Sequence, residues 1–100
     1  MIHAMNRIDK MHQQLAVFQP SLVEITDDSH KHAGHAGARD GGGHYCVKIV
    51  STHFSGKPTL ARHRMIYSAL GEMMKTEIHA LIIIALTPEQ IEPEKTPHPA

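Results

Sequence analysis

The sequence predicts an α+β fold in which helix, strand, strand, helix, strand and short helix succeed one another. Three observations carry this prediction: strict alternation at 44–51, a helical stripe from 59 to about 75, and a continuous apolar strand at 78–86. A strand–helix–strand order requires a right-handed crossover, which makes the two flanking strands parallel. A short strand at 22–26 is expected to pair antiparallel. The result is a three-stranded mixed sheet with its helices on one face.

The first helix is predicted over residues 2–16. Ile8, His12 and Leu15 recur at spacings of four and three, which is typical of one apolar stripe on a helix. Pro20 ends this helix, and the stretch SLVEIT that follows supplies the first strand.

The alternating strand HYCVKIVS places Tyr45, Val47 and Ile49 on one face and the residues between them on the other. The second helix is expected to begin with Thr59 as its N-cap. Its predicted stripe comprises Leu60, His63, Tyr67, Leu70 and Met74, with Ile66 and Met73 beside it.

The strand IHALIIIAL is apolar on both faces, which is typical of a buried central strand. The sequence TPEQ then has the form of a capping box with Pro88 at the first helical position, so we expect a short terminal helix. We predict one domain over 1–92 and a flexible, proline-rich tail over 93–100.

Composition restricts the function classes. Ten Lys and Arg balance ten Asp and Glu, so a strong electrostatic hold on nucleic acid or an anionic membrane is not expected. Cys46 is the single cysteine, which excludes internal disulfides and suits a cytoplasmic protein. No secretory signal is apparent, and the longest apolar run is too short to span a bilayer.

The segment SHKHAGHAGARDGGGHY, residues 29–45, holds four histidines and five of the seven glycines. His30, His32, His35 and His44 would supply imidazoles to a zinc ion, but their spacings match no established zinc signature. A polar loop is the favoured interpretation of these residues alone.

The single cysteine also restricts the iron–sulfur chemistry that this chain can support. A cluster held by one chain normally takes four thiolates, although two histidines can replace two of them on one iron. This chain has one thiol. It therefore cannot hold a cluster alone, but it can supply two imidazoles to a cluster whose thiolates come from a partner. His79, which opens the last strand, is either such a ligand or a half-buried, hydrogen-bonded residue.

The turn and helix at FSGKPTLARHR carry Lys57, Arg62 and Arg64, which would read phosphate groups. The alternative, a solvated helix face, is favoured by the residues alone. Catalytic motifs such as a Walker A loop, GxGxxG or GxSxG do not occur, and Cys46 has no base positioned beside it. The chain is therefore expected not to be an enzyme.

Three stretches together resemble the BolA family: PSLVEITDDS, then GGHYCVKIVSTHFSGKPTLARHRMIYSALGEMMKTEIHAL, then TPEQ. The resemblance spans residues 8 to about 91. It implies a fold similar to a class II KH domain. It also implies binding to a monothiol glutaredoxin, with a [2Fe–2S] cluster that bridges the two proteins and no cofactor in the isolated protein.

The resemblance also implies the ligands of that cluster. The glutaredoxin contributes its active-site cysteine and a glutathione thiol. The BolA protein contributes the histidine at the head of the last strand, which is His79, and a loop residue. The pattern DDSHKH assigns the loop ligand to His32, and His35 and His30 lie close enough to compete for that role. This chain thus resembles the all-histidine type.

Family resemblance implies two roles in the cell. The first is a non-catalytic adaptor in iron–sulfur cluster trafficking, cluster assembly or iron regulation. The second is a DNA-binding transcriptional regulator of stress response and cell morphology, with Lys57, Arg62 and Arg64 as the contact residues. A third interpretation, from the residues alone, is a zinc or copper buffer built from the histidine loop.

One surface prediction follows from the two-sided apolar strand. Ile82 and Ile84 should share a sheet face with Cys46, opposite the helices. We expect this apolar patch to be a self-association or partner surface, with a weak homo-oligomer as one outcome.

Overall fold

The computed structural model describes residues 6–29 and 43–91. The predicted tail at 93–100 lies outside the described residues. The elements are α1 (Arg7–Leu15), β1 (Leu22–Asp27), β2 (Gly43–Val50), α2 (Thr59–Leu70), α3 (Met73–Thr76) and β3 (Ile78–Leu86), with 3₁₀ turns at Ala16–Phe18, Thr52–Phe54 and Pro88–Gln90.

The strands form one sheet in the order β1-β2-β3. Strand β1 runs antiparallel to β2, with Val23 opposite Ile49, and β2 runs parallel to β3, with Val47 opposite Ile83. This pairing confirms the predicted three-stranded mixed sheet, and α2 and α3 form the connection between its two parallel strands.

Helix α1 begins with a capping box. The side-chain oxygen of Asn6 accepts from the backbone N–H of Asp9 at 2.8 Å, and the Asp9 carboxylate accepts from the backbone N–H of Asn6 at 3.4 Å. The buried face of α1 consists of Met11 and Leu15. His12, predicted on the apolar stripe, is exposed, because the core contact falls one residue earlier on the helix.

The second predicted helix is divided where Gly71 adopts a φ of +53°. That left-handed value favours glycine, and it ends α2 so that the chain turns into α3. The structure also corrects the buried face of α2. Ile66 is buried, whereas Leu60 is 61% and Tyr67 is 42% exposed. Thr59 is the first helical residue and not the N-cap.

The core lies between the helices and one face of the sheet. Ser51 is a buried polar residue at its border, and its hydroxyl donates to the Phe18 carbonyl at 2.7 Å, which satisfies both groups away from water. The core side chains are Met11, Leu15, Phe18, Tyr45, Val47, Ile49, Phe54, Ile66, Leu70, Met73 and Ile78.

The opposite face of the sheet carries the predicted apolar patch. Cys46 lies opposite Ile82 in the β2–β3 pairing, and Lys48 lies opposite Ile84. Ile82 is 61% and Ile84 is 41% exposed. The predicted exposure of these two side chains is confirmed, while their role in association stays a prediction.

Replacement of Ile82 by Lys tests that role. Burial of an isoleucine side chain is worth about 1.5–3 kcal/mol, so a charge at this position should weaken self-association at least about tenfold. Sedimentation velocity over a range of protein concentrations measures the mean mass. Val17→Lys is the matched control, because Val17 is 62% exposed on the 3₁₀ turn after α1. Equal masses and solubility for Ile82→Lys and the unsubstituted protein would contradict the prediction.

Candidate functional site

His79 occupies an irregular point in the β2–β3 pairing. Gly43 lies opposite Ile78 and His44 lies opposite Ala80, so His79 is an additional residue on β3 that faces no single partner. Such β-bulges re-aim side chains and are frequent beside functional sites. The His79 side chain is exposed at this end of the sheet.

The ends of the histidine-rich loop meet at the same place. The Asp28 amide donates to the His44 carbonyl at 2.7 Å, and the Ser29 hydroxyl accepts from the His44 amide at 3.0 Å. The Gly43 amide donates to the carbonyl of Glu77, two residues before His79, at 3.0 Å. The loop sequence therefore re-enters β2 beside the head of β3, while it leaves β1 on the other side of β2.

The loop histidines predicted as ligands, His32, His35 and His30, lie outside the described residues. His79 lies at the head of β3, beside Gly43, where the loop sequence ends, and its role as a ligand stays a prediction.

The imidazole ring of His44 lies beside that of His79. Their imidazole centroids are 5.1 Å apart and the rings are tilted by 40°. The Nε2 atom of His44 is buried, whereas the His79 side chain is exposed. Sequence reasoning placed His44 among the loop histidines and did not connect it with His79, because the bulge that aligns the two rings leaves no mark in the sequence.

Glu77 anchors this end of the sheet to the first helix. Its two carboxylate oxygens each accept from Lys10 Nζ at 3.0 Å, and Arg7 Nε lies 3.8 Å from Oε1. The Glu77 side chain is 25% exposed. Sequence reasoning missed this residue, since an ion pair between positions 10 and 77 requires knowledge of the tertiary fold.

Gly43 is required by a close approach at the loop end. A Cβ atom at this position would lie 2.5 Å from Cε2 and 2.6 Å from the hydroxyl oxygen of Tyr45. Tyr45 is 4% exposed, so its ring has little room to move. The ring thus covers the glycine that begins β2, next to the two histidines.

The predicted phosphate-binding residues lie at the other end of β3. Arg62 donates from Nε to the Lys57 carbonyl at 2.7 Å and from Nη1 to the carbonyl of Ala85 at 2.9 Å. The Nη1 atom of Arg62 also donates to Gln90 Oε1 at 2.8 Å. The guanidinium therefore joins α2 to the end of β3. Ala85 follows His79 by six residues, or roughly 20 Å along a strand.

Lys57 and Arg64 are exposed at this second end. No contact joins them to the histidine pair among the described residues, so the two predicted functions would use different parts of the surface. Glu89 is also exposed there, and hydrogen bonds from its own backbone and from Thr87 hold the pKa of its carboxyl below the usual range.

Within residues 6–29 and 43–91, two kinds of feature do not occur: a group of metal ligands and a membrane-spanning helix. Within these ranges, three or more His, Cys, Asp or Glu side chains do not assemble into a group able to hold a metal ion. In the same part of the chain, each helix is too short or too polar to cross a lipid bilayer.

These features define the class of protein as a small α+β domain with an exposed imidazole at the edge of its sheet. The sequence model of the BolA-like protein family matches residues 15–90. The chain therefore belongs to the BolA-like family, as its motifs predicted.

Individual relatives agree with this assignment. The DNA-binding transcriptional regulator BolA of Escherichia coli (strain K12) is 42% identical over 77 residues, which cover 77% of this chain and 70% of the relative. The structure of BolA1 from Arabidopsis thaliana has a TM-score of 0.76 and 34% identity, and the match covers 89% of this chain and 100% of that one. The family and regulator names do not describe enzymes.

Other relatives are longer. SufE-like protein 1 of Arabidopsis thaliana is 40% identical over 88 residues, which cover 83% of this chain but 23% of the relative. The chain likewise covers 56% of the chloroplastic protein BOLA1 of the same plant, at 40% identity over 89 residues.

Replacement of Gly43 by Ala tests the packing at the loop end. The added Cβ meets the Tyr45 ring, and overpacking of this kind costs about 1–3 kcal/mol of unfolding free energy. Chemical denaturation measures this loss. The same substitution in a Tyr45→Leu background is the control, because removal of the ring should reduce the additional loss caused by the new methyl group. An equal loss in both backgrounds would show that the ring contact is not the cause.

Proposed function

We propose that this chain is a non-catalytic adaptor that binds a monothiol glutaredoxin and helps to coordinate a bridging [2Fe–2S] cluster. It acts in cluster trafficking, cluster assembly or iron regulation. His79 is the first ligand and His32 the second, with His35 and His30 as competitors for the second position. The glutaredoxin cysteine and glutathione contribute the thiolates.

One observation carries the proposal: the exposed imidazole of His79 lies at a bulge opposite Gly43 and His44, where the histidine-rich loop re-enters the sheet. A ligand on a strand is held in position by the hydrogen bonds of the sheet. The donor chemistry fits, since histidine pairs replace cysteine pairs on one iron in clusters of the Rieske type.

The incompleteness of the site favours a shared cluster. The described residues do not offer three metal ligands in one place, and the single thiol, Cys46, is in the middle of a strand. The chain alone therefore lacks the thiolates that a cluster needs. A partner that brings its own cysteine and glutathione completes the coordination. The lack of internal disulfides suits a reducing cytoplasm, where we place this function.

Mixing the protein with a cluster-loaded monothiol glutaredoxin tests the proposal. Exchange of two of the cluster's four thiolates for histidines should change the visible absorption and circular dichroism of the cluster, while the glutaredoxin cysteine and one glutathione stay bound. His79→Asn should abolish that change, since it removes the ligand that the fold fixes most firmly. His12→Asn is the matched control, because His12 is an exposed histidine on α1.

Two outcomes would overturn the proposal: an unchanged spectrum on mixing, or the same change with His79→Asn as with the unsubstituted chain. His32→Asn, His35→Asn and His30→Asn, tested one at a time in the same assay, identify the loop ligand. Far-ultraviolet circular dichroism of each variant confirms that it is folded.

A second candidate function is binding to DNA as a transcriptional regulator of stress response and cell morphology. The name of the Escherichia coli relative favours it. Lys57 is exposed just before α2, Arg64 is exposed near the middle of that helix, and Tyr67 is exposed about one turn beyond Arg64. Two features oppose it: the chain has no net charge, and Arg62 already donates three hydrogen bonds within the protein.

Duplex binding at two or more salt concentrations tests this second candidate. If Arg64 contacts a phosphate, Arg64→Gln should weaken binding to all sequences and reduce the slope of log K against log salt by about 1. Lys75→Gln removes the same charge from an exposed residue of α3 and should leave the slope unchanged if that helix is not in contact. An Arg64→Gln slope equal to that of the unsubstituted chain would argue against this surface.

A further inference from the structure

The two histidine rings at the sheet edge have a separation suited to one metal ion. Their centroids are 5.1 Å apart. Two imidazoles bound to one tetrahedral ion through metal–nitrogen bonds of about 2.0 Å place their centroids roughly 5 Å apart. Rings in simple contact span about 4.5–7 Å between centroids. The distance therefore permits a shared ion, and the placement of both rings on the sheet favours one.

Both rings are carried by the sheet. His44 is in the central strand, where its amide and its carbonyl are hydrogen-bonded to Ser29 and Asp28. His79 is in β3 between Ile78, which is buried, and Ala80, which pairs with His44. Ligands held on rigid elements lose little conformational freedom when an ion binds.

The pair leaves room for further ligands. Among the described residues, these two histidines are not joined by a third potential ligand. An ion on the pair therefore keeps positions for water or for groups of another molecule, as in open zinc sites. The His79 side chain is on the solvent side of the pair, so those positions are accessible.

We infer that His44 and His79 form a two-imidazole site for a zinc-like divalent cation in the isolated protein, and that this site does not require the loop histidines. Imidazole nitrogen is a preferred ligand of Zn²⁺, and borderline cations of this type need no thiolate. The inference is independent of the proposed function, since neither a glutaredoxin nor a cluster takes part.

Zinc titration of the isolated protein tests the inference. The background is the chain with His30, His32 and His35 all changed to Asn, which removes the competing loop imidazoles. Competition with a chromophoric chelator gives the affinity. Loss of an outer-shell partner of a ligating histidine already costs 10–100-fold in metal affinity, so His44→Asn and His79→Asn should each cost at least about tenfold. The double variant should bind little worse than either single one, because either loss ends chelation.

Two further readouts separate ligation from a structural effect. In the background chain, Zn²⁺ should shift the ring nitrogen resonances of His44 and His79 together. It should also raise the thermal midpoint of that chain but not of His44→Asn, since only a bound ion stabilises the fold. His12→Asn is the matched control for loss of a surface histidine, and it should keep the background affinity.

The inference is overturned if His44→Asn keeps the background affinity, or if zinc shifts only one of the two rings. It is also overturned if the loop substitutions alone abolish binding. Failure of zinc binding would leave the glutaredoxin assay unaffected, because that assay depends on His79 and the loop, so the two proposals fail separately.

Discussion

Ile78 and Leu81 both pack towards the helices although they are three residues apart on β3. In a regular strand, residues separated by an odd number of positions face opposite sides of the sheet. The additional residue at the β2–β3 irregularity restores the required alternation, so that Tyr45 lies opposite Leu81 and Val47 lies opposite Ile83 on the core side. The core packing of β3 and the exposure of His79 at its head are thus two results of one bulge.

Contacts of the residue before the bulge connect β3 with β2 and with α1. Glu77 precedes the bulge, and its carbonyl accepts from Gly43, where the loop ends. Its carboxylate binds Lys10 on α1. The head of β3 is therefore held from the side of the helix and from the side of the sheet. A ligand at position 79 inherits this placement from backbone contacts that do not depend on the loop sequence.

The sequence pattern predicted the secondary-structure elements, but it did not predict the buried face of every one. Alternation at 44–51 predicted β2 and its buried face, because one side of that strand is polar. On α2, apolar Leu60 and Tyr67 imitate a buried stripe, yet both are exposed while Ile66 is buried. Periodicity cannot separate apolar residues that differ only in what lies opposite them.

The site was predictable to a similar extent. The position of His79 followed from the family motif, and its nearness to the loop followed from the strand order. The pairing of His44 with His79 did not, since a run of apolar residues on both sides of a strand hides a bulge. Only the register of the backbone reveals that an additional residue has been inserted.

The two proposals at this edge share one imidazole, which has consequences for how the protein behaves in a cell. A nitrogen of His79 that ligates zinc cannot also ligate iron. If both proposals hold and both metals use the same nitrogen, zinc on the His44–His79 pair would exclude the cluster, and the apparent affinity of the cluster would fall by the factor 1 + [Zn²⁺]/Kd. His44 lies within the sheet, whereas His32, His35 and His30, the candidates for the second cluster ligand, belong to the loop sequence. The choice between the two metals would then be a choice between two partners for His79. If both proposals hold, such an adaptor would accept the cluster only where free zinc is scarce relative to the Kd of the pair.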